Sequence, residues 1–202
     1  MAGGAVYFLL FPVHFDINMP VLKELLEANG QTAGMDPKII MIGQFIQAML
    51  IAPIINSFFT FGEEFGWRGF LQPTLMPLGE RKALVVTGII WGVWHAPVIA
   101  MGHNYGLSYP GFPWTGILGM VWFCVLLGIF LGWLSLRAKN VWPAVIGHAA
   151  INGIAGLPVY FSTGDQNPLL GPLPVGIIGS IAFFAVAVWM FWKSKPEPVT
   201  TA

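Results

Sequence analysis

The chain has 202 residues, of which 56% are hydrophobic and only 9% charged, and its formal net charge is zero. Soluble domains carry about 25% charged residues, so a surface this poor in charge, with a mean hydropathy of +0.73, excludes a soluble globular protein and points to an integral membrane protein. The zero balance offers no basic field for nucleic acid. The single cysteine excludes an internal disulfide and a Cys-based zinc site.

Taken in order, Met1-Ala2-Gly3-Gly4 lacks the positive start of a signal peptide, and no small-residue cleavage site follows the apolar run Val6 to Val13. That run is short for a span and reads as the end of a helix whose beginning is missing, so a truncated start is expected. Val21 to Glu27 is amphipathic, with apolar residues at i, i+1, i+4 and i+5. It reads as a helix on the membrane surface or against the bundle, ended by Asn29-Gly30. Residues 1–37 thus form an N-terminal apolar segment plus an interfacial helix, 38–195 a transmembrane unit, and 196–202, with Pro196-Glu197-Pro198, a disordered tail. No internal repeat and no second domain is visible.

Five long apolar stretches carry the transmembrane unit: Ile39–Phe61, Ala83–Met101, Trp114–Leu136, Val141–Leu157 and Gly171–Trp192. Each has about 17–23 residues, enough to cross about 30 Å of hydrocarbon, and in lipid each must be helical because every backbone group needs an internal partner. The fold class expected is all-α, a polytopic bundle of five or six spans with a polar cavity open to the cytoplasmic side. Cys124, between Phe123 and Val125, reads as a small buried apolar residue. Gly128 and Gly132 have GxxxG spacing, a weak packing signal in a chain with 25 glycines.

Arg81 and Lys82 follow the first long stretch, Arg137 and Lys139 the third, and Lys193 and Lys195 the fifth. The loops Gly102–Pro113 and Pro158–Leu170 contain neither Lys nor Arg. By the positive-inside rule the Arg81, Arg137 and Lys193 loops are cytoplasmic. Trp67, Trp114, Trp142, Trp189 and Trp192 fall near span ends, where aromatic belts form.

Few groups inside the spans can move protons: Glu63, Glu64, Arg68, His95 and His148, with Asn152 as a neutral donor. A charge at membrane depth costs roughly 2.5–3.5 kcal/mol on insertion scales, so a chain that keeps three together in Phe61–Phe70 has a use for them. Glu63 and Glu64 are adjacent and point about 100° apart on a helix, which argues against a twin-carboxylate pair. Glu64 and Arg68 are spaced i,i+4 and are expected to neutralise one another, leaving Glu63 free. A snorkelling helix end is the bland alternative. His95 lies about 12 residues beyond Ala83, which on a helix is roughly 18 Å in. Trp91 stands one turn before it. His148 lies about seven residues into its stretch, roughly 10 Å deep, and Asn152 follows one turn later. His14 and His103, near the start and in a loop, are assigned no role. A carboxylate, two imidazoles and a carboxamide suit hydrolysis: the carboxylate takes a proton from water, and donors hold an oxyanion. No Ser or Cys stands in a nucleophile motif. Glu63, His95 and His148 would also make a zinc set, although no His-Glu-x-x-His occurs on one helix.

Glu63-Glu64-x-x-x-Arg68, Trp91-x-x-x-His95 and His148-x-x-x-Asn152 together resemble, in order, the three motifs of the CPBP intramembrane proteases, also called the ABI or type II CAAX prenyl endopeptidase family. The resemblance covers about residues 40–156 and departs from the family pattern at Trp91, where that pattern has Phe. It implies a multi-pass endopeptidase of the cell membrane acting near the cytoplasmic face, with a peptide or protein substrate, membrane-anchored or prenylated in the family's named activity. It assigns Glu63 and His95 to water activation, His148 and Asn152 to the oxyanion, and Glu64, Arg68 and Trp91 to support. Whether zinc is needed stays open. Two other functions fit the same residues: a proton-coupled transporter, which would favour inverted repeats, and a non-catalytic immunity or binding protein. Gly106–Pro113 and Pro158–Pro172 are placed to gate the cavity, although their composition fits ordinary loops equally well.

Overall fold

The protein was analysed as a computed structural model that describes residues 1–30 and 36–195; the expected tail at 196–202 lies outside the described residues. The architecture is all-α. Helix α1 (Ala2–Leu10) ends before Pro12, and α2 (Pro20–Ala28) is the expected amphipathic segment. Helix α3 (Pro37–Leu50) starts on Asp36, whose side chain accepts from the Lys38 amide. Helix α4 (Ala52–Glu64) runs into a π-helical stretch, Phe65–Leu71, and then α5 (Gln72–Leu75). After Gly79 come α6 (Glu80–Trp94), α7 (Ala96–Ala100), α8 (Trp114–Ala138), α9 (Trp142–Ile154) and α10 (Ile181–Lys193).

Three helical stretches, Glu80–Ala100, Trp114–Ala138 and Trp142–Phe161, are long and apolar enough to cross a membrane. A fourth candidate is Pro37–Leu50 with Ala52–Leu78, bent by 48°. The apolar stretches alone predict five or six spans, and two features lower the number. Pro53, in the first turn of α4, has no N–H to offer residue 49, so the stretch read as one span breaks beside it. Gly171–Trp192 is not one helix either. Pro172 and Pro174 remove two donors, and only the 13 residues of α10 are helical. At 1.5 Å per residue α10 rises only about 20 Å.

Small residues set the bundle's spacing. A Cβ on Gly88 or Gly92 of α6 would stand 2.6 Å from Val125 Cα or 2.4 Å from Val121 Cα, so α6 and α8 touch backbone to backbone. From α8, Gly132 leaves room for Gln72, whose Nε2 donates to the Gly132 carbonyl at 3.2 Å. Helix α4 lies antiparallel to α9: Thr60 Oγ1 donates to Val145 O at 3.1 Å and Asn56 Nδ2 to Ala149 O at 3.2 Å.

The bundle has two unlike ends. At one, Glu80 pairs with Arg137 at 2.9 Å. There Arg81 also donates to the carbonyls of Phe191, Trp192 and Ser194, adding a cation to the end of α10, where the last turn's carbonyls run out of helical amides. At the other, Tyr105 in the α7–α8 loop donates to Val175 O at 2.9 Å, tying that loop to the segment before α10. Arg81 and Arg137 therefore mark the first end as the cationic one.

Candidate active site

The two adjacent carboxylates diverge because a helix rotates each residue about 100° from the last. Glu64 turns inward and is fully buried. Its Oε1 accepts from Arg68 Nη1 at 2.9 Å and from His148 Nδ1 at 2.8 Å. Glu63 turns the other way, half-buried, and its Oε2 accepts from the indole Nε1 of Trp91 at 3.0 Å.

Trp91 is the centre of the arrangement. It is buried, and its ring carries the Arg68 guanidinium 4.6 Å above its centroid. This cation–π contact matters because Arg68 Nε and Nη2 find no hydrogen-bond partner among the described residues. The same ring meets the His148 imidazole at 5.2 Å, nearly perpendicular, and that of His95 at 5.9 Å.

Both imidazoles are held by one nitrogen. Glu64 Oε1 already accepts from Arg68 in a buried ion pair, and in that pairing His148 Nδ1, against the same oxygen, is the donor. His95 Nδ1 lies 2.8 Å from the Trp91 carbonyl. A carbonyl can only accept, so this nitrogen also donates. In each ring Nε2 remains for other chemistry.

Glu63, Trp91, His95, His148 and Asn152 line one cavity of about 490 Å³. Its wall continues through Met120, Phe123 and Leu127 of α8 to Ala155, Gly156 and Leu173–Val175. The expectation that this cavity sits under the cationic face does not match the geometry. Its lining runs from mid-bundle towards the Tyr105–Val175 end, because Glu63 is followed by the π-helical stretch and α5 before the cationic end is reached.

The family model described as type II CAAX prenyl endopeptidase, Rce1-like, matches residues 40–154, more than half of the chain. The chain belongs to this Rce1-like family. It is also similar to CAAX prenyl protease 2 of Methanococcus maripaludis, with 34% identity over 94 residues, which are 45% of this chain and 34% of that relative. The chain therefore aligns to about a third of the relative's length. No solved structure matches it.

For an Rce1-like chain, metal binding can be tested against the donor set. Among the described residues no three His, Cys, Asp or Glu side chains are grouped to hold a metal ion. Glu63, His95 and His148, the candidate zinc set, share the cavity without forming a ligand cluster, and Glu63 is tied to Trp91 instead. The residues as arranged do not fit a metal.

Three relationships escape sequence reasoning. The link from His148 to Glu64 joins residues 84 positions apart, and no local spacing announces it. The indole bond to Glu63 gives Trp91 a partner that spacing does not supply. His103, a loop residue without a role in the sequence reading, lines the cavity together with Asn104; its position eight residues beyond His95, just past the end of the same helical stretch, is the available signal. His14 lies elsewhere, 2.8 Å from the Tyr7 hydroxyl. Cys124 is fully buried, 4.0 Å from His95 Nδ1.

Proposed function

We propose that the protein is an intramembrane endopeptidase that hydrolyses a peptide bond with a water activated by Glu63. The observation that carries the reading is that Glu63, His95, His148 and Asn152, from three helical segments, line one cavity. Membership of an endopeptidase family makes a peptide the substrate class.

In this reading a water enters between Glu63 and His95. Glu63 takes its proton as the oxygen attacks the scissile carbonyl. Trp91 holds the far side of the carboxylate through Oε2, and His95 Nε2, set by the Trp91 carbonyl, faces the same water. The carbonyl oxygen becomes an oxyanion and is met by His148 and by the Asn152 carboxamide. For Nε2 of His148 to donate, the ring must be an imidazolium, with Nδ1 on Glu64 and Nε2 on the oxyanion. Glu64, Arg68 and His148 then form a buried group that balances the charge of Glu63. Collapse of the intermediate returns the proton to the leaving amine.

The long apolar helices fit a multi-pass membrane protein. With Arg81, Arg137 and Lys193 in the cytoplasm, the cavity reaches water through the opposite half of the bundle, where Asn152, Gly156 and Leu173–Val175 lie.

The test is cleavage by the purified protein in proteoliposomes. An internally quenched peptide library, including prenylated members, is offered with and without chelator. Cleavage by the wild type and none by Glu63→Gln supports the proposal. Binding without cleavage identifies a non-catalytic scaffold, and proton flux that depends on Glu63 identifies a transporter.

A further inference from the structure

We propose that His103 and Asn104 form a peptide main-chain subsite at the outer end of the cavity, a step that rests on the peptidase reading. Both residues line the same cavity as Glu63, His95 and His148. Their neighbours there, Leu173, Pro174 and Val175, carry no polar side chain, so these two residues supply the polarity of that end.

The backbone is built to present them. Gly102, Asn104 and Gly106 have φ values of +96°, +65° and +73°, so alternate residues of a five-residue turn are left-handed. For asparagine this conformation is uncommon and persists where the surroundings impose it. Here they do. The His103 amide donates to Val98 O at 3.0 Å, the Gly106 amide to Gly102 O at 2.9 Å, and the Tyr105 hydroxyl to Val175 O at 2.9 Å. Tyr105 and Tyr109 are both buried against α8, where Gly119 and Gly116 leave room for their hydroxyls. A turn fixed this firmly leaves His103 and Asn104 with open capacity. Asn104 Nδ2 meets Met120 Sδ at 3.6 Å, and a thioether is a weak acceptor. The His103 ring makes no hydrogen bond among the described residues.

The chemistry selects the ligand. Residues 101–113 contain no Asp, Glu, Lys or Arg. An imidazole and a carboxamide without a fixed charge suit neutral donors and acceptors, and an extended peptide offers an N–H and a C=O at every residue. The cavity volume, about 490 Å³, is in the range of sites that enclose a ligand of several residues' side chains and backbone. His103 and Asn104 would hold the peptide on one side of the scissile bond and so act as positioning residues.

The experiment compares the wild type with His103→Ala and with His103→Ala combined with Asn104→Gly, using the best-cleaved peptide of the quenched library in proteoliposomes. Glycine keeps the left-handed backbone and deletes only the carboxamide. Two lost hydrogen bonds together correspond to about a tenfold change in affinity. In the double variant KM is expected to rise about tenfold while kcat changes less than twofold. Binding of the same peptide to protein carrying Glu63→Gln should weaken by the same factor when both loop changes are added. If KM and peptide binding match the wild type, the subsite is wrong and the peptidase reading stands. If the wild type cleaves no library peptide, the peptidase reading fails and the subsite with it. His103→Ala alone, an exposed side chain, keeps the test decisive if the double variant does not fold.

Discussion

The indole Nε1 of Trp91 donates to Glu63 Oε2 at 3.0 Å, while the same ring lies beneath the Arg68 guanidinium. One side chain thus touches both halves of the Glu63-Glu64-x-x-x-Arg68 motif, and the two contacts can be separated by substitution.

Trp91→Phe keeps an aromatic face under Arg68 and deletes the donor. A hydrogen bond to a charged group is worth about 1.5–3 kcal/mol, so kcat is expected to fall about tenfold or more. Thermal unfolding in detergent should shift by only a few degrees. A Trp91→Phe variant with wild-type kcat would show that Glu63 needs no such restraint.

The adjacent carboxylates are expected to respond differently. Glu63 is half-buried and tied to one neutral donor, so Glu63→Gln should abolish cleavage and leave stability near wild type. Glu64 is fully buried between Arg68 and His148, and Arg68→Ala strips it of its cation. Breaking a buried pair from one side costs about 3–5 kcal/mol, so Arg68→Ala should unfold at a markedly lower temperature or fail to accumulate. Equal stability losses for Glu63→Gln and Arg68→Ala would contradict this division.

Much of this is legible in the sequence. The i,i+4 spacing of Glu64 and Arg68 fixes a local pair that any helix would form, and Trp91 and His95 share a face for the same reason. The convergence of α4, α6 and α9 is not local. It depends on Gly88 and Gly92 allowing α6 to reach the α8 backbone, and glycine spacing names no partner. Hydropathy averaged over Gly171–Trp192 hides two prolines that stop a helix from forming there. The place of His103 is illegible because a loop's path is set by distant anchors, here Tyr105 on Val175.

The α6–α8 contact carries its own test. Because a Cβ at residue 92 would stand 2.4 Å from Val121 Cα, Gly92→Val must push the two helices apart. The change lies within one turn of Trp91 and His95, so it should displace both. Overpacking of this kind costs about 1–3 kcal/mol, and cleavage is expected to fall by more than the fraction of protein lost. The readout is kcat per folded molecule, with unfolding followed in parallel. A Gly92→Val protein that unfolds at the wild-type temperature would mean that the helices do not meet there.

Orientation can be read with single cysteines, since Cys124 is fully buried and supplies a silent background. Lys82 and Ser108 are both exposed, the first beside Arg81 at the cationic end and the second in the loop that carries His103 and Tyr105. If the cations face the cytoplasm, a membrane-impermeant maleimide added to intact cells should label Ser108→Cys and spare Lys82→Cys until the membrane is opened. The same pattern sets the compartment from which a soluble peptide reaches Glu63, because the cavity lining extends towards Ser108's loop at His103 and Asn104. In sealed right-side-out vesicles the quenched peptide should then be cleaved when supplied outside. Labelling of Lys82→Cys in intact cells, with Ser108→Cys protected, would invert the orientation and move peptide entry to the cytoplasm.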